Sequence, residues 1–402
     1  MLSDLKWTAP LTTAKVLDIV FPAVENFTSD EFIQKRQVHV IPQGSEPRWI
    51  VLGDPRRSLS VLESWRPWNP GSRLRWRVVK FAALTKLLAQ IPGVQSSAAH
   101  IDSSYWRRAF ANIPANWDAV IHVGTSSHTR KAILFLIGED RRVTFGAKVP
   151  LAQGALSAIC NEADMLEHLK QFTYLPKVLF KDTKRGIAAQ SWLEGRPVSR
   201  GFTTAHLELL SILANAGSTV RVSDCRAEVA EELESVEFPF DRTILEQGLE
   251  LLDFDLPLQS FVEHRDFAPW NLKWLPSGGL GLLDWEWSVP NSVPWQDVCR
   301  FFYLDDVHFG GPGKVWERIT NHPLLHRYRR QFEIPPTALR PLTMKYLLRV
   351  LCMDWQSGNT RLAEYTFQQI KFLLSTCSRG IAPGFEVCSN RAGLKNARDR
   401  VL

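Results

Sequence analysis

The sequence predicts an α+β chain: a small antiparallel sheet, then a mostly helical region, with an extra α/β region in front of both. Three observations predict it. Residues 118–149 read as three strands, "DAVIHVG", "RKAILFLIGED" and "RRVTFGAKV", joined by short polar turns; such spacing builds an antiparallel meander. Beyond residue 195 the apolar positions recur mostly at helical spacing. The 402 residues are too many for one ordinary core, so two or three domains are expected.

Residues 1–112 are rich in Trp and Arg and form an N-terminal extension with no role assigned by its sequence. Within it "PRWIVLGDP" reads as strand and turn. Residues 72–91 read as an amphipathic helix begun by Ser72, with Leu74, Val78, Phe81, Leu84, Leu87 and Leu88 at helical spacing. The Trp/Arg segment 63–80 is expected to use its tryptophans as core, with Arg stems covering a packed helix. The three-strand meander then opens residues 113–194. A helix over 156–172 and two more strands, "PKVLFKD" and "GIAAQSWLEG", complete this small sheet region. Residues 195–377 carry expected helices at 203–217, 225–236, 241–253, 295–304, 336–354 and 360–376. A short strand pair at 271–287 turns at Ser277-Gly278-Gly279. The tail 378–402 is rich in Gly, Arg and Asn and is expected to be flexible.

Composition excludes several classes. Hydrophobic residues are 45% and charged residues 22%, as in soluble globular proteins. No apolar run is long enough to span a membrane. The N-terminus lacks the pattern of a signal peptide, so a cytoplasmic location is the expectation. A net charge of +6 suits an anionic ligand such as a nucleotide without calling for nucleic acid. The six cysteines form no CxxC and are too scattered for a zinc site.

The chemistry concentrates in "HRDFAPWN" (264–271) and "LLDWE" (282–286). Transfer of a phosphoryl group to a hydroxyl needs a group to orient the hydroxyl, oxygen ligands for Mg²⁺, and cations and a loop for the phosphates. Asp266 is the candidate base. Asn271, five residues on, offers a neutral oxygen to Mg²⁺, and Asp284, 13 residues further across the hairpin, a charged one. Glu286 points to the same side as Asp284 in an extended chain and is a further candidate metal group. His264 is expected to hold the loop. Lys148, at the end of the third meander strand, would reach the phosphates, and Glu162, 14 residues later on the helix, would fix it by an ion pair. The turn after the first strand supplies Gly124, Thr125, Ser126 and Ser127 as phosphate-capping candidates.

These motifs resemble those of the aminoglycoside phosphotransferase/choline kinase-like family, over about residues 116–375. The resemblance implies a bilobal protein-kinase-like fold, with a sheet lobe over 113–194 and a helical lobe over 195–377. It implies ATP and Mg²⁺ as cofactors. "SWLEGRP" is similar to the family's hinge, so backbone groups of Gln190, Ser191, Trp192 and Leu193 would meet the adenine. Asp297 is similar to the family's Asp that braces the catalytic loop.

Two departures stand out. Arg265 occupies a position where the family usually has Gly and makes "HRD", the protein-kinase version. Only Gly124 marks the phosphate loop, where protein kinases carry three glycines. A protein kinase is nevertheless the weaker expectation: 12 residues lie between Asp284 and Asp297, with no A-P-E, leaving little chain for a peptide platform. The expected acceptor is therefore a small hydroxylated molecule (aminoglycoside, amino alcohol or sugar-like). Asp305, Asp306 and Glu317 are candidates for an acidic acceptor pocket. The alternative is a pseudokinase or nucleotide-binding scaffold, which the glycine-poor loop favours and the retained base and metal ligands oppose. Oligomeric state is not legible.

Overall fold

The computed structural model describes residues 11–24, 32–42, 46–65, 67, 70–199, 201–309 and 315–376. The tail expected to be flexible lies outside them. The chain divides into two compact units: residues 1–198 with 272–287, and residues 199–271 with 288–402.

The first unit is built on one eight-stranded sheet. Along the chain come α1 (Thr13–Val20), β1 (Ile33–Ile41), β2 (Trp49–Leu52), α2 (Leu59–Ser64), α3 (Pro70–Thr85), β3 (Gln95–Asp102) and α4 (Ser104–Ala109). Then follow β4 (Asp118–Val123), β5 (Lys131–Ile137), β6 (Val143–Pro150), α5 (Gly154–His168), β7 (Val178–Asp182), β8 (Ile187–Gln190) and the short β9 (Arg196–Pro197). Strand order is β3-β1-β2-β4-β5-β6-β8-β7, antiparallel throughout. The expected meander is β4-β5-β6. Strands β1 to β3 continue the same sheet, through β2 paired to β4 from Trp49↔His122 to Leu52↔Ala119.

Alternation along the strands decides what covers each face. Ala132, Leu134 and Leu136 of β5 and Phe145, Ala147 and Val149 of β6 face one core with Val16 and Val20 of α1 and Trp106 of α4. On the other face, Trp49, Val51 and Val120 pack against Leu62 of α2 and Trp76, Val79 and Ala83 of α3. Further along that face, Ala188 packs against Ala155, Ile159 and Ala163 of α5. Of the tryptophans expected as core in 63–80, Trp76 is buried and Trp65 packs partly buried on the same cluster, while Trp68 lies outside the described residues; Trp49, Trp65 and Trp76 have ring centroids 4.7 to 5.2 Å apart.

Helix α3 runs Pro70–Thr85, where a helix over 72–91 begun by Ser72 was expected, and the apolar positions at helical spacing fall mostly on its exposed side. Leu88 is buried, but Leu74, Val78, Phe81, Leu84 and Leu87 are exposed. The small Ala82 and Ala83, with Val79 and Trp76, form the packed side, because small residues let the helix approach the sheet closely.

The second unit begins with α6 (Thr204–Ile212), β10 (Ala214–Arg221), α7 (Arg226–Glu234), α8 (Arg242–Glu250) and β11 (Pro257–Glu263). The helix expected over 203–217 stops early. Its last residues enter β10, which pairs with β11 and contains Gly217 at φ 74°; glycine in that conformation cannot continue a helix. The chain then returns to the first unit for β12 (Leu272–Trp274) and β13 (Leu280–Leu282), the expected hairpin, with Gly278 and Gly279 at φ 85° and 79°. The remainder is β14 (Val289–Ser292), α9 (Gln296–Phe309), α10 (Val315–Asn321), α11 (Pro323–Gln331), α12 (Leu339–Gln356) and α13 (Thr360–Ser375). Helices α10 and α11 were not legible in the pattern. Twelve residues of α12 are buried, so it is the second unit's central helix.

Candidate active site

In the first unit, the β5–β6 register sets Ile133 opposite Lys148 and Lys131 opposite Pro150. Cross-strand partners point to one face, and residues two apart on a strand share it. Lys131 and Lys148 therefore project from the same face, the one that receives α5. From α5, Glu162 meets Lys148: Nζ lies 2.6 Å from Oε2, with both side chains buried. Lys148 Nζ also pairs with Asp284 Oδ1. Helix α5 fixes the 284–286 segment at two more points. The backbone N–H of Trp285 donates to Glu162 Oε1 at 3.3 Å, and Asn161 Nδ2 donates to the carbonyl of Glu286 at 2.9 Å. Asp284 sits at φ 66°, a conformation that costs energy for a non-glycine residue and persists where surrounding contacts over-determine it.

The charges are tightly coupled. Burial opposes a charged Lys148, but the carboxylates of Asp284 and Glu162 outweigh it and hold the ammonium above its ordinary range. Burial likewise opposes a charged Asp284, and Lys148 and Lys131 outweigh it, so its carboxyl lies well below the usual range. Glu286 is pushed up, by burial and then by the neighbouring Asp284 charge.

Lys131, which the sequence reading missed, is the second cation of this cluster. Its Nζ lies 3.2 Å from Asp284 Oδ1 and also pairs with Glu286 Oε2. One position of positive charge thus already stands between these two carboxylates. Among the described residues no cluster of three or more His, Cys, Asp or Glu side chains converges on a metal position. Two hard carboxylates nevertheless fit Mg²⁺, which takes its other ligands from water and phosphate oxygens.

The phosphate-loop candidates are partly committed. The N–H of Gly124 donates to the carbonyl of Lys131 at 2.8 Å, and its carbonyl accepts from Arg130 Nε at 3.1 Å. Ser127 Oγ stands 3.5 Å from Thr129 Oγ1, and the carbonyl of Ser127 accepts from the N–H of Arg130 at 3.1 Å. Thr125 and Ser126 complete the same turn between β4 and β5. In the segment after β8, the N–H of Ser191 donates to the carbonyl of Lys177 at 2.8 Å, and the Leu193 carbonyl accepts from Lys273 Nζ at 3.1 Å. Those two backbone groups are occupied by protein partners. The side chain of Trp192 packs edge-on to Phe135 and beneath Lys273 Nζ, 4.0 Å from the ring centre. Burial brings Lys273 down to about 8.

In the second unit, the loop after β11 is pinned by Asp297 at the start of α9. Asp297 Oδ2 accepts from the N–H of His264 at 2.8 Å and Oδ1 from the N–H of Arg265 at 2.9 Å. Burial and the charge of Glu263 push the Asp297 carboxyl up to about 7, against those two hydrogen bonds. His264 is fully buried, and its Nδ1 accepts from the N–H of Asp266 at 3.2 Å. It is a loop brace. Arg265, at φ 66°, turns its guanidinium to Glu228 and Glu263, each 3.8 Å away. Phe267 is fully buried against Phe301.

Asp266 is held from both sides. Arg300, a second residue that the sequence reading missed, donates from Nη2 to Oδ1 at 2.8 Å. Asn271 Nδ2 donates to Oδ2 at 2.8 Å and to the Asp266 carbonyl at 2.9 Å. This turns Asn271 Oδ1, the candidate metal oxygen, to the other side of the amide. Further along α9, a pocket of about 740 Å³ is lined by Phe202, Phe301, Phe302, Asp305, Arg318 and His322, among others. Of the expected acidic positions Asp305 lines it and Asp306 and Glu317 do not; Arg318 lies 2.6 Å from Asp305 and 3.3 Å from Asp306.

No protein-family model and no curated protein matches the sequence. Several solved structures do. Choline kinase LicA from Streptococcus pneumoniae matches at 14% identity, over 61% of this chain and 89% of that one, with a TM-score of 0.43. A thermostable mutant of aminoglycoside phosphotransferase APH(4)-Ia, in ternary complex with AMP-PNP and hygromycin B, matches at 12% over 65% and 95%, with a TM-score of 0.47. Macrolide 2'-phosphotransferase MphH from Brachybacterium faecium matches at 16% over 61% and 89%, with a TM-score of 0.44. By its motifs "HRDFAPWN" and "LLDWE" the chain resembles the aminoglycoside phosphotransferase/choline kinase-like family.

Proposed function

We propose that the protein is an ATP-dependent small-molecule kinase that transfers the γ-phosphoryl group to a hydroxyl of a small acceptor. The observation that carries this reading is the Lys148 ammonium, buried and set between Glu162 and Asp284. A lysine so restrained, beside a carboxylate with spare oxygen, is what steadying phosphates requires. In the first unit Lys148 binds the phosphates, and Asp284 with Glu286 holds Mg²⁺. Bound there, the ion offsets phosphate charge. In the second unit Asp266 orients the acceptor hydroxyl and takes its proton as the new P–O bond forms and the bond to the ADP oxygen breaks. Asn271 supplies that unit's metal oxygen. His264, Arg265 and Asp297 keep the loop in shape.

The second reading, a nucleotide-binding scaffold without transfer, draws on one observation. The N–H of the loop's single glycine, Gly124, is spent on a strand partner. Purified protein incubated with labelled ATP, Mg²⁺ and a mixture of hydroxylated metabolites separates the two. Label in a small molecule, lost in Asp266→Ala while ATP still raises the melting temperature, supports the kinase. ATP binding with no transfer to any acceptor supports the scaffold.

A further inference from the structure

Helix α3 presents a face that nothing among the described residues covers. Its packed side holds Trp76, Val79, Ala82 and Ala83, with Trp76 Nε1 donating to the Leu62 carbonyl at 3.0 Å. The opposite side carries Leu74, Val78, Phe81 and Leu84, exposed by 65%, 49%, 64% and 53%, and Leu87 follows at 43%. The spacing i, i+4, i+7, i+10 makes one stripe along the helix. A contiguous apolar stripe of this size on a soluble protein marks an interaction surface.

The charges around it narrow the partner. The helix has four basic residues, Arg73, Arg75, Arg77 and Lys80, and no acidic one. By helical position Arg75 lies on one flank of the stripe and Lys80 on the other, with Arg77 near its edge. At the C-terminal end Lys86 is exposed and ion-paired to the partly exposed Asp54 at 3.5 Å, and the exposed Arg56 donates from Nε to the Leu84 carbonyl at 3.0 Å. A second copy docking face to face would oppose these charges to themselves, so self-association through α3 is disfavoured. The face is also convex: a single helix surface, with bulky side chains standing out from it. A fluid bilayer accepts such a shape without needing a complementary groove. Apolar tips enter the acyl boundary, and long basic side chains on both flanks reach back to phosphates.

We propose that α3 is a peripheral docking surface for an anionic lipid bilayer. Leu74, Val78, Phe81, Leu84 and Leu87 insert, and Arg75, Arg77, Lys80 and Lys86 contact headgroups. No helix among the described residues is long and apolar enough to cross a membrane, so this attachment is superficial and reversible.

The test uses the full chain and sedimented vesicles, either phosphatidylcholine alone or phosphatidylcholine with phosphatidylserine. Wild-type protein is expected on the mixed vesicles, less at high salt, and hardly on the neutral ones. The variant Phe81→Glu/Leu84→Glu and the variant Arg75→Glu/Arg77→Glu are each expected to bind at least about ten-fold more weakly. All four side chains are exposed, so an unchanged melting temperature verifies folding. Wild type that ignores anionic vesicles overturns the proposal. So do folded variants that bind as well as wild type, or a concentration-dependent dimer or an acidic protein partner held by this face without vesicle binding.

Discussion

Arg300 Nη2 donates to Asp266 Oδ1 at 2.8 Å, and Arg300 Nε reaches the same oxygen at 3.3 Å. The guanidinium thus sets the direction of the candidate base, with Asn271 on the other carboxylate oxygen. Arg300→Lys keeps charge and loses the planar fork. If Asp266 acts as proposed, this variant lowers kcat by roughly ten- to a hundred-fold through misorientation, with the KM for ATP unchanged. Steady-state kinetics on the identified acceptor read the split; a raised KM with unchanged kcat would refute the role.

Lys148 is held by two carboxylates. Lys148→Met strands Glu162, 2% exposed, beside Asp284 without its nearest counter-charge. Removing one partner of a buried pair is expensive, about 3 kcal/mol or more. Denaturant unfolding is expected to show a loss of that order, and Lys148→Met/Glu162→Gln to recover part of it. Neither variant is expected to recover nucleotide affinity.

Lys131 stands where a divalent ion would compete with it. Lys131→Met leaves Asp284 and Glu286 with one fewer cation, so it is expected to bind Mn²⁺ without nucleotide about ten-fold or more tightly than wild type. Lys131→Arg, which keeps the charge, should behave as wild type. Calorimetric Mn²⁺ titration decides this independently of any transfer activity; equal affinities in all three proteins would remove the competition argument.

Asp297 links stability to pH. Its carboxyl is raised from the ordinary 3.8 to about 7, mainly by burial. Between those values the folded state holds a proton that the unfolded chain releases, so this group's contribution to stability falls as pH rises and levels off above about 7. Unfolding midpoints measured from pH 4 to 8 are expected to contain this component, and Asp297→Asn to lack it. A variant with the wild-type pH slope would assign the titration elsewhere.

The contacts of the candidate site were legible where sequence spacing and spatial contact coincide. Asp266 and Asn271 lie in one loop, and Lys148 and Glu162 on adjacent elements. Arg300 was not legible, because its partner lies 34 positions away across three short strands. Lys131 is 153 positions from Asp284, yet the hairpin register alone would have put it on the face of Lys148. The stripe on α3 misled for a different reason. Periodicity reveals that a helix has two sides, but the packed side is chosen by fit. Alanines and one tryptophan fitted the sheet better than leucines did. The strand β10 opens with Ala214-Asn215-Ala216-Gly217, which has none of the β-branched or aromatic residues that mark a strand and so reads as the end of the preceding helix.

The pairing of β2 with β4 bears on how this protein can be dissected. A fragment starting at residue 113 matches the span of the motifs and would seem the natural unit to express. It would strip β4 of its partner from Trp49↔His122 to Leu52↔Ala119. It would also remove the helices that cover Ala119, Val120 and Ile121. The new border would be a long, unprotected, apolar edge, the kind that recruits other chains into insoluble assemblies. Excision at 113 is therefore expected to yield inclusion bodies, and a reagent for studying the chemistry has to keep the N-terminal strands.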